Sequence, residues 1–79
     1  MDKSVDISTR RGNVVGKPGE WRFEPEGSQG SRFRLTSAHI GVPNYEKEEI
    51  DLRAHADKQI TVRGDFGQMP DWVFMAQIV

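Results

Sequence analysis

Residues 20–35, EWRFEPEGSQGSRFRL, contain two short segments in which apolar and polar side chains alternate. Trp21 and Phe23 are the apolar residues of the first segment, and Phe33 and Leu35 are those of the second. Successive side chains of a β-strand point to opposite faces, so each segment predicts a strand with one buried face. The intervening PEGSQGS carries two glycines and predicts the turn between these strands. The stretch therefore predicts the second and third strands of an antiparallel β domain.

The same period of two extends to the rest of the chain. QITVRG at 59–64 alternates and predicts a fourth strand, and DWVFMAQIV at 71–79 predicts a fifth. The less regular SVDISTRRGNVVG at 4–16 predicts the first strand, in which Gly12 marks a bulge or a sharp bend. The residues expected to form the core are Trp21, Phe23, Phe33, Leu35, Ile60, Val62, Trp72 and Phe74.

A short helix is expected between strands three and four, within NYEKEEIDLRAHAD at 44–57. In one interpretation Asn44 is the N-cap and the following glutamates lie at the positive end of the helix. In the other, EEIDL is extended and Asp51 caps a shorter helix over LRAHA. We favour the shorter helix, because Ile50 and Leu52 alternate rather than share one helical face.

The predicted order is three strands, a short helix and two strands, which is the order of a small five-stranded oligonucleotide/oligosaccharide-binding (OB) barrel. The C-terminal third, IDLRAHADKQITVRGDF followed by DWVFMAQIV, also resembles small bacterial OB-like barrel proteins. In these a leucine-led short helix, a "GK"-type turn, a "V-x-V-x-G" strand and a closing strand follow one another. Here the turn is Asp57-Lys58, without the usual glycine, and the strand is ITVRG. The resemblance implies a mainly β, antiparallel OB-like barrel, for which an SH3-like barrel is the structural alternative.

Composition bounds the class of protein. The 79 residues make one domain, 1–79, without cysteine and with a net charge of −1. Residues 1–40 carry seven basic and five acidic side chains, and residues 41–79 carry four and seven. This weak asymmetry lacks the strongly basic patch of an obvious nucleic-acid-binding protein. Neither a signal-peptide core nor an apolar run of membrane-spanning length is present, so a cytoplasmic protein without a membrane partner is expected. Met1 is either the natural start or follows a removed segment.

Short motifs in the chain have structural explanations. Arg63-Gly64-Asp65 spells a cell-adhesion tripeptide, but it continues strand four, where Arg63 would point outward and Gly64 inward at a bend. GNVVGKP at 12–18 departs from the spacing of a phosphate-binding loop, and Pro18 removes an amide that such a loop needs.

Catalytic and metal-binding patterns are not evident. The two histidines, His39 and His55, lack the spacing of metal ligands on one helical turn, and no cysteine nucleophile exists. We therefore expect no enzyme, no catalytic residue, no metal and no cofactor.

Two binding functions follow from the strand patterns. The fifth strand is apolar on both faces, which predicts a contact with a protein partner or a second copy through Val73, Met75 and Val79. The alternative is weak single-stranded nucleic-acid binding, with arginines as phosphate ligands and two aromatic residues as stacking platforms. The residues of this second hypothesis are Arg10, Arg11, Arg22, Arg32, Arg34, Tyr45 and Phe66. The preferred expectation is a non-catalytic binding or protein-interaction module.

Overall fold

The computed structural model describes residues 6–28 and 30–79. Within them the strands are β1 (Ile7–Val15), β2 (Arg22–Pro25), β3 (Arg34–Leu35), β4 (Gln59–Asp65) and β5 (Trp72–Ile78). Two 3-10 turns, Tyr45–Glu48 and Arg53–His55, lie between β3 and β4. Residues 4 and 5, which the sequence assigned to the first strand, lie outside the described residues.

The strands form a nearly closed barrel. Strand β1 pairs antiparallel with β2 and β4, β4 pairs antiparallel with β5, and β5 pairs parallel with β3. The ring is completed where Phe23 and Phe33 exchange both backbone hydrogen bonds, at 2.9 and 2.8 Å. The prediction of a mainly β, five-stranded barrel is confirmed. The arrangement is mixed rather than wholly antiparallel, because β3 lies beside β5 and not beside β4.

The short helix expected between β3 and β4 does not form, and the segment contains two separate 3-10 turns instead. A 3-10 turn begins directly after Asn44, with Glu46 and Glu48 in its first turn, as the first interpretation placed them. Asn44 itself has a left-handed backbone (φ 61°) and makes no side-chain cap hydrogen bond, so its expected capping role is wrong. Glu49 forms a β-bridge with Thr36, which leaves the residues before the second turn extended. The Asp51 carboxylate accepts a hydrogen bond from the Arg53 amide at 2.9 Å, as the second interpretation required of a cap. Pairing of residues 48–50 with β3 and the residues after it therefore separates the two turns, and no continuous helix forms across 44–57.

The turn before β4, Asp57-Lys58, forms without a glycine. Asp57 adopts a left-handed backbone (φ 59°), a conformation that aspartate tolerates better than most residues. Its amide donates to the Val14 carbonyl at 3.0 Å, and the Val14 amide donates to the Lys58 carbonyl at 2.9 Å. These bonds fix the turn against β1.

The core contains seven of the eight residues that the sequence predicted. Trp21 is the exception: it is only partly buried and packs against the core from one side. Five further buried apolar residues were not in the predicted core: Val14, Leu52, Phe66, Val73 and Ala76. The Phe66 ring contacts Phe33 edge to face, with a centroid distance of 5.6 Å. Stability of the barrel therefore depends on side chains from the loops as well as the strands.

A bulge in β5 overturns the predicted alternation of that strand. Arg63 pairs with Gln77 and Asp65 with Phe74, so one residue of β4 lies opposite two residues of β5. Met75, one of the two, has a left-handed backbone (φ 53°). An extra residue reverses which positions face inward, and Val73 consequently joins the core.

The other side of β5 is covered by Tyr45. Its ring lies edge to face against Trp72 and Phe74, with centroid distances of 5.1 and 5.0 Å. Burial on both faces explains why the strand lacks a polar side over these residues. The apolar residues on both faces of this part of β5 are therefore covered within the domain.

The Arg-Gly-Asp tripeptide lies where the sequence predicted, at the end of β4. Arg63 is exposed, whereas Gly64 is buried and Asp65 is 1% exposed. A Cβ at Gly64 would lie 2.7 Å from Cγ1 of Val73, so only glycine fits beside the bulge. The buried Asp65 side chain is inaccessible to an adhesion receptor in the folded domain.

Candidate binding face on strands β2 and β3

Two clefts that share one lining residue lie at the first residues of β2 and β3, Arg22 and Arg34. The first has a volume of about 360 Å³ and is lined by Gly19, Trp21, Arg22, Arg34, Glu49, Ile50, Asp51, Leu52 and Arg53. The second has a volume of about 280 Å³ and is lined by Gly16, Lys17, Glu20, Arg22 and Arg32. Arg22 lines both clefts and marks their junction. We call this surface the β2–β3 face.

Trp21 gives this face its aromatic wall. It immediately precedes β2, and its half-buried side chain contacts the core on one side and lines the first cleft on the other. The sequence assigned it wholly to the core because its position continues the alternation of β2. The strand begins only at Arg22, so the end of the barrel leaves part of the ring uncovered.

Arg34 is held rigidly at the side of the first cleft. Its Nε and Nη2 donate to the two carboxylate oxygens of Glu49, at 2.9 and 2.6 Å. Its guanidinium also lies over the Trp72 ring, 4.4 Å from the centroid. The hydrogen bonds to Glu49 raise the pKa of Arg34 above its ordinary value, against the opposing effect of desolvation. Glu49 thus neutralises this guanidinium.

Other arginines of the face are also paired with acids. Nε of Arg32 lies 3.2 Å from a carboxylate oxygen of Glu24, and Nη2 of Arg53 lies 2.7 Å from a carboxylate oxygen of Asp51. These exposed pairs stabilise the fold little, but they offset positive charge on the face.

Arg22 differs from these arginines. Its Nη1 donates to the Trp21 carbonyl at 3.0 Å, and no acidic group of residues 6–28 or 30–79 forms an ion pair with it. The one arginine common to both clefts is therefore not neutralised by the described part of the chain. A guanidinium in this state favours an anionic group at the junction.

The structure does not bring the other predicted nucleic-acid contacts to this face. Arg10 pairs with Asp6 at 2.8 Å and lies over Phe66, 4.3 Å from the ring centroid. Arg11 is on β1, and its Nε lies 3.5 Å from a carboxylate oxygen of Glu26. Neither arginine lines the two clefts.

Neither of the two predicted stacking platforms lines a cleft of this face, and for Phe66 the expected exposure is wrong. Phe66 is 8% exposed, because its ring completes the core beneath Arg10. Tyr45 is partly buried and its ring packs on Trp72 and Phe74. The aromatic side chain that lines a cleft is Trp21, which the sequence had placed in the core.

The predicted protein-contact strip on β5 is not continuous. Val73 is fully buried, so its assignment to the surface is wrong, and the bulge at Met75 is the physical reason. Met75 and Val79 are 39% and 67% exposed. Gln77 lies between them and pairs with Arg63 of β4. Single exposed apolar residues of this kind are ordinary on a soluble surface.

Two further kinds of site were sought among the described residues. Among residues 6–28 and 30–79, no three His, Cys, Asp or Glu side chains converge as a metal site would require. In the same part of the chain no helix is long and apolar enough to cross a membrane.

Several residues of the face were not found from the sequence. Glu49, Asp51 and Arg53 reach the first cleft only because residues 48–50 lie alongside β3. The alternation of Ile50 and Leu52 was the available signal, since it indicated an extended segment that could pair with a strand.

Comparison with known proteins finds no match to this chain among family models, curated proteins or solved structures.

Proposed function

We propose that this protein is a non-catalytic binding module of the OB-like class, and that it binds single-stranded nucleic acid on the β2–β3 face. The class is supported by connectivity. Strand β3 lies between β2, which it meets at the Phe23–Phe33 bridge, and β5, to which it is parallel. Because β4 pairs with β1 and β5 and not with β3, the chain follows a Greek-key path and not a simple meander. Barrels of this class use the faces of their second and third strands to bind oligonucleotides and oligosaccharides.

The observation that carries the proposal is that Trp21 and Arg22 both line the first cleft, and that Arg22 also lines the second. A nucleotide presents a planar base beside an anionic phosphate. Stacking of a base on an aromatic ring contributes about 1–3 kcal/mol, and a guanidinium binds a phosphate through charge-assisted hydrogen bonds. The first cleft, at about 360 Å³, lies within the usual range of ligand sites. The two residues thus match the two parts of one nucleotide.

The paired arginines indicate weak binding. Affinity for nucleic acid derives largely from phosphate neutralisation, and a face with one unpaired arginine supplies little of it. We infer that the domain binds short single strands with low affinity at physiological salt. A contact through β5 has less support, because Val73 is buried and Gln77 separates the exposed apolar residues.

A fluorescence titration tests the proposal directly. The chain has two tryptophans, and Trp72 is 4% exposed, so quenching by an added oligonucleotide should come from Trp21. We expect short oligo(dT) at low salt to quench the fluorescence of the parent protein. Trp21→Phe should remove the quench while a labelled oligonucleotide still shows binding by anisotropy.

A matched pair of arginine variants separates the site from general charge. Arg22→Gln should abolish binding, whereas Arg63→Gln, an exposed position on β4, should leave it nearly unchanged. Absence of any anisotropy change at low salt would refute nucleic-acid binding. If sedimentation then showed a dimer that Met75→Lys dissociates, the β5 contact would be the better account.

A further inference from the structure

We infer that Glu49 limits the affinity and the phosphate stoichiometry of the β2–β3 face, by occupying Arg34 in competition with a ligand phosphate. This inference rests on the proposed function. In the parent protein the β2–β3 face would bind one phosphate, at Arg22. Glu49 would thereby select against ligands whose affinity depends on many phosphate contacts.

Glu49 is fixed in place by its backbone. Residues 48–50 run alongside β3: the Ile50 amide donates to the Leu35 carbonyl at 2.8 Å, and the Ser37 amide donates to the Glu48 carbonyl at 3.2 Å. Glu49 itself forms a bridge with Thr36. Because residues 48–50 are hydrogen-bonded to β3 and the residues after it, the backbone keeps the Glu49 carboxylate close to Arg34.

The Arg34 guanidinium is also held in an orientation that suits binding of an oxyanion. Glu49 occupies two of its N–H donors in the bidentate geometry that a phosphate also uses. Trp72 supports the guanidinium from one side at 4.4 Å. The side chains of Arg34 and Glu49 are 36% and 30% exposed, so a ligand in the first cleft can reach both. Removing the Glu49 charge leaves a supported, accessible cation beside Arg22.

The salt dependence of binding measures the number of phosphates engaged. Each contact with a single strand adds about −0.7 to the slope of log affinity against log salt. Between 50 and 200 mM salt, one contact predicts a loss of affinity of about 2.6-fold, and two contacts predict about 7-fold. Glu49→Gln should increase this loss of affinity from about 2.6-fold to about 7-fold, and it should tighten binding at low salt.

The experiment compares variants by the anisotropy of a labelled oligo(dT) across this salt range, with a thermal melt of each variant to confirm folding. Glu26→Gln is the matched control: it removes the same charge and releases Arg11, which lies outside both clefts. We expect tighter binding and a steeper slope for Glu49→Gln alone. Adding Arg34→Gln to Glu49→Gln should restore the parent slope.

The outcomes distinguish this inference from the proposed function. If Glu49→Gln and Glu26→Gln behave alike, or if the parent already has the steeper slope, Glu49 does not limit binding although the face still binds nucleic acid. If neither the parent nor Glu49→Gln binds at low salt, the proposed function fails and the inference fails with it.

Discussion

Replacement of Asp65 by alanine should destabilise the domain severely, because its buried carboxylate joins the residue before β1 to the turn that follows β4. Oδ1 accepts hydrogen bonds from the amides of Asp6 and Gly67, and Oδ2 accepts one from the side-chain amide of Gln68, each at 3.0 Å. Hydrogen bonds to a charged group contribute about 1.5–3 kcal/mol each. Two of the three are only partly buried, so water can replace them in part, and we expect a total loss of about 3–5 kcal/mol. A domain of this size has a free energy of unfolding of about 4–12 kcal/mol.

Asp65→Asn is the matched variant. The asparagine oxygen can take the place of Oδ1, whereas its NH₂ group faces the amide of Gln68 and lacks the charge. We expect a loss of about half that of the alanine variant. Urea unfolding monitored by tryptophan fluorescence at pH 7 measures both variants. An unfolding free energy for Asp65→Ala within about 0.5 kcal/mol of the parent, the range of an ordinary surface substitution, would refute the reasoning.

The pH dependence provides an independent check. Burial acts to raise the pKa of Asp65 and is the largest single influence, but the hydrogen bonds from Gly67, Asp6 and Gln68 together lower it. A carboxylate whose pKa is lower in the folded state stabilises the fold above its unfolded pKa, near 3.9, and this stability is lost as the pH falls through the folded pKa. Below about pH 4 the parent should therefore lose stability more steeply than Asp65→Asn. Parallel pH profiles for the two proteins would contradict this account.

Three further substitutions test the packing around β5. Gly64→Ala should destabilise the domain by about 1–3 kcal/mol, because the new methyl group would lie 2.7 Å from Val73 and 2.9 Å from the Phe74 carbonyl; an unchanged melting temperature would contradict it. Met75→Gly should be neutral or stabilising by up to about 1 kcal/mol, since it relieves a left-handed backbone but adds freedom to the unfolded chain; a large loss in urea unfolding would show that the exposed side chain is needed. Tyr45→Ala should cost about 2–4 kcal/mol by uncovering the outer side of β5, whereas Tyr45→Phe, which loses only a 3.7 Å contact to a methionine sulfur, should melt close to the parent.

Much of the barrel could be predicted because its strands are specified locally. In β2, β3 and β4 the residues that alternate in the sequence also alternate in burial, as Phe23, Leu35 and Val62 show. Exposing these faces would leave the core only charged and polar side chains, whose desolvation is unfavourable. The short-range pattern therefore fixed both the strands and their inward faces.

The candidate site was predicted only in part. Arg22, Arg32 and Arg34 were identified as the outward side chains of β2 and β3, and all three line the clefts. The sequence did not indicate that Glu49 neutralises Arg34, since fifteen residues separate them. It also missed Trp21 as a cleft wall, because a side chain at a strand end can be core or surface according to what lies beyond it.

The alternation of polar and apolar residues was enough to predict the number of strands, the inward faces of β2, β3 and β4 and the glycine at the end of β4, because each of these depends on the residues of one segment. Tertiary structure alone decided the bulge at Met75, the burial of Val73 and the hydrogen bonds of Asp65. Each of these depends on which segments meet across the barrel, and that is set by the closure of the whole sheet. The alternation within one segment does not indicate where a strand has an extra residue opposite a distant strand. The extra residue at the bulge of β5 reversed the faces of that strand, and the predicted protein contact through Val73 depended on those faces.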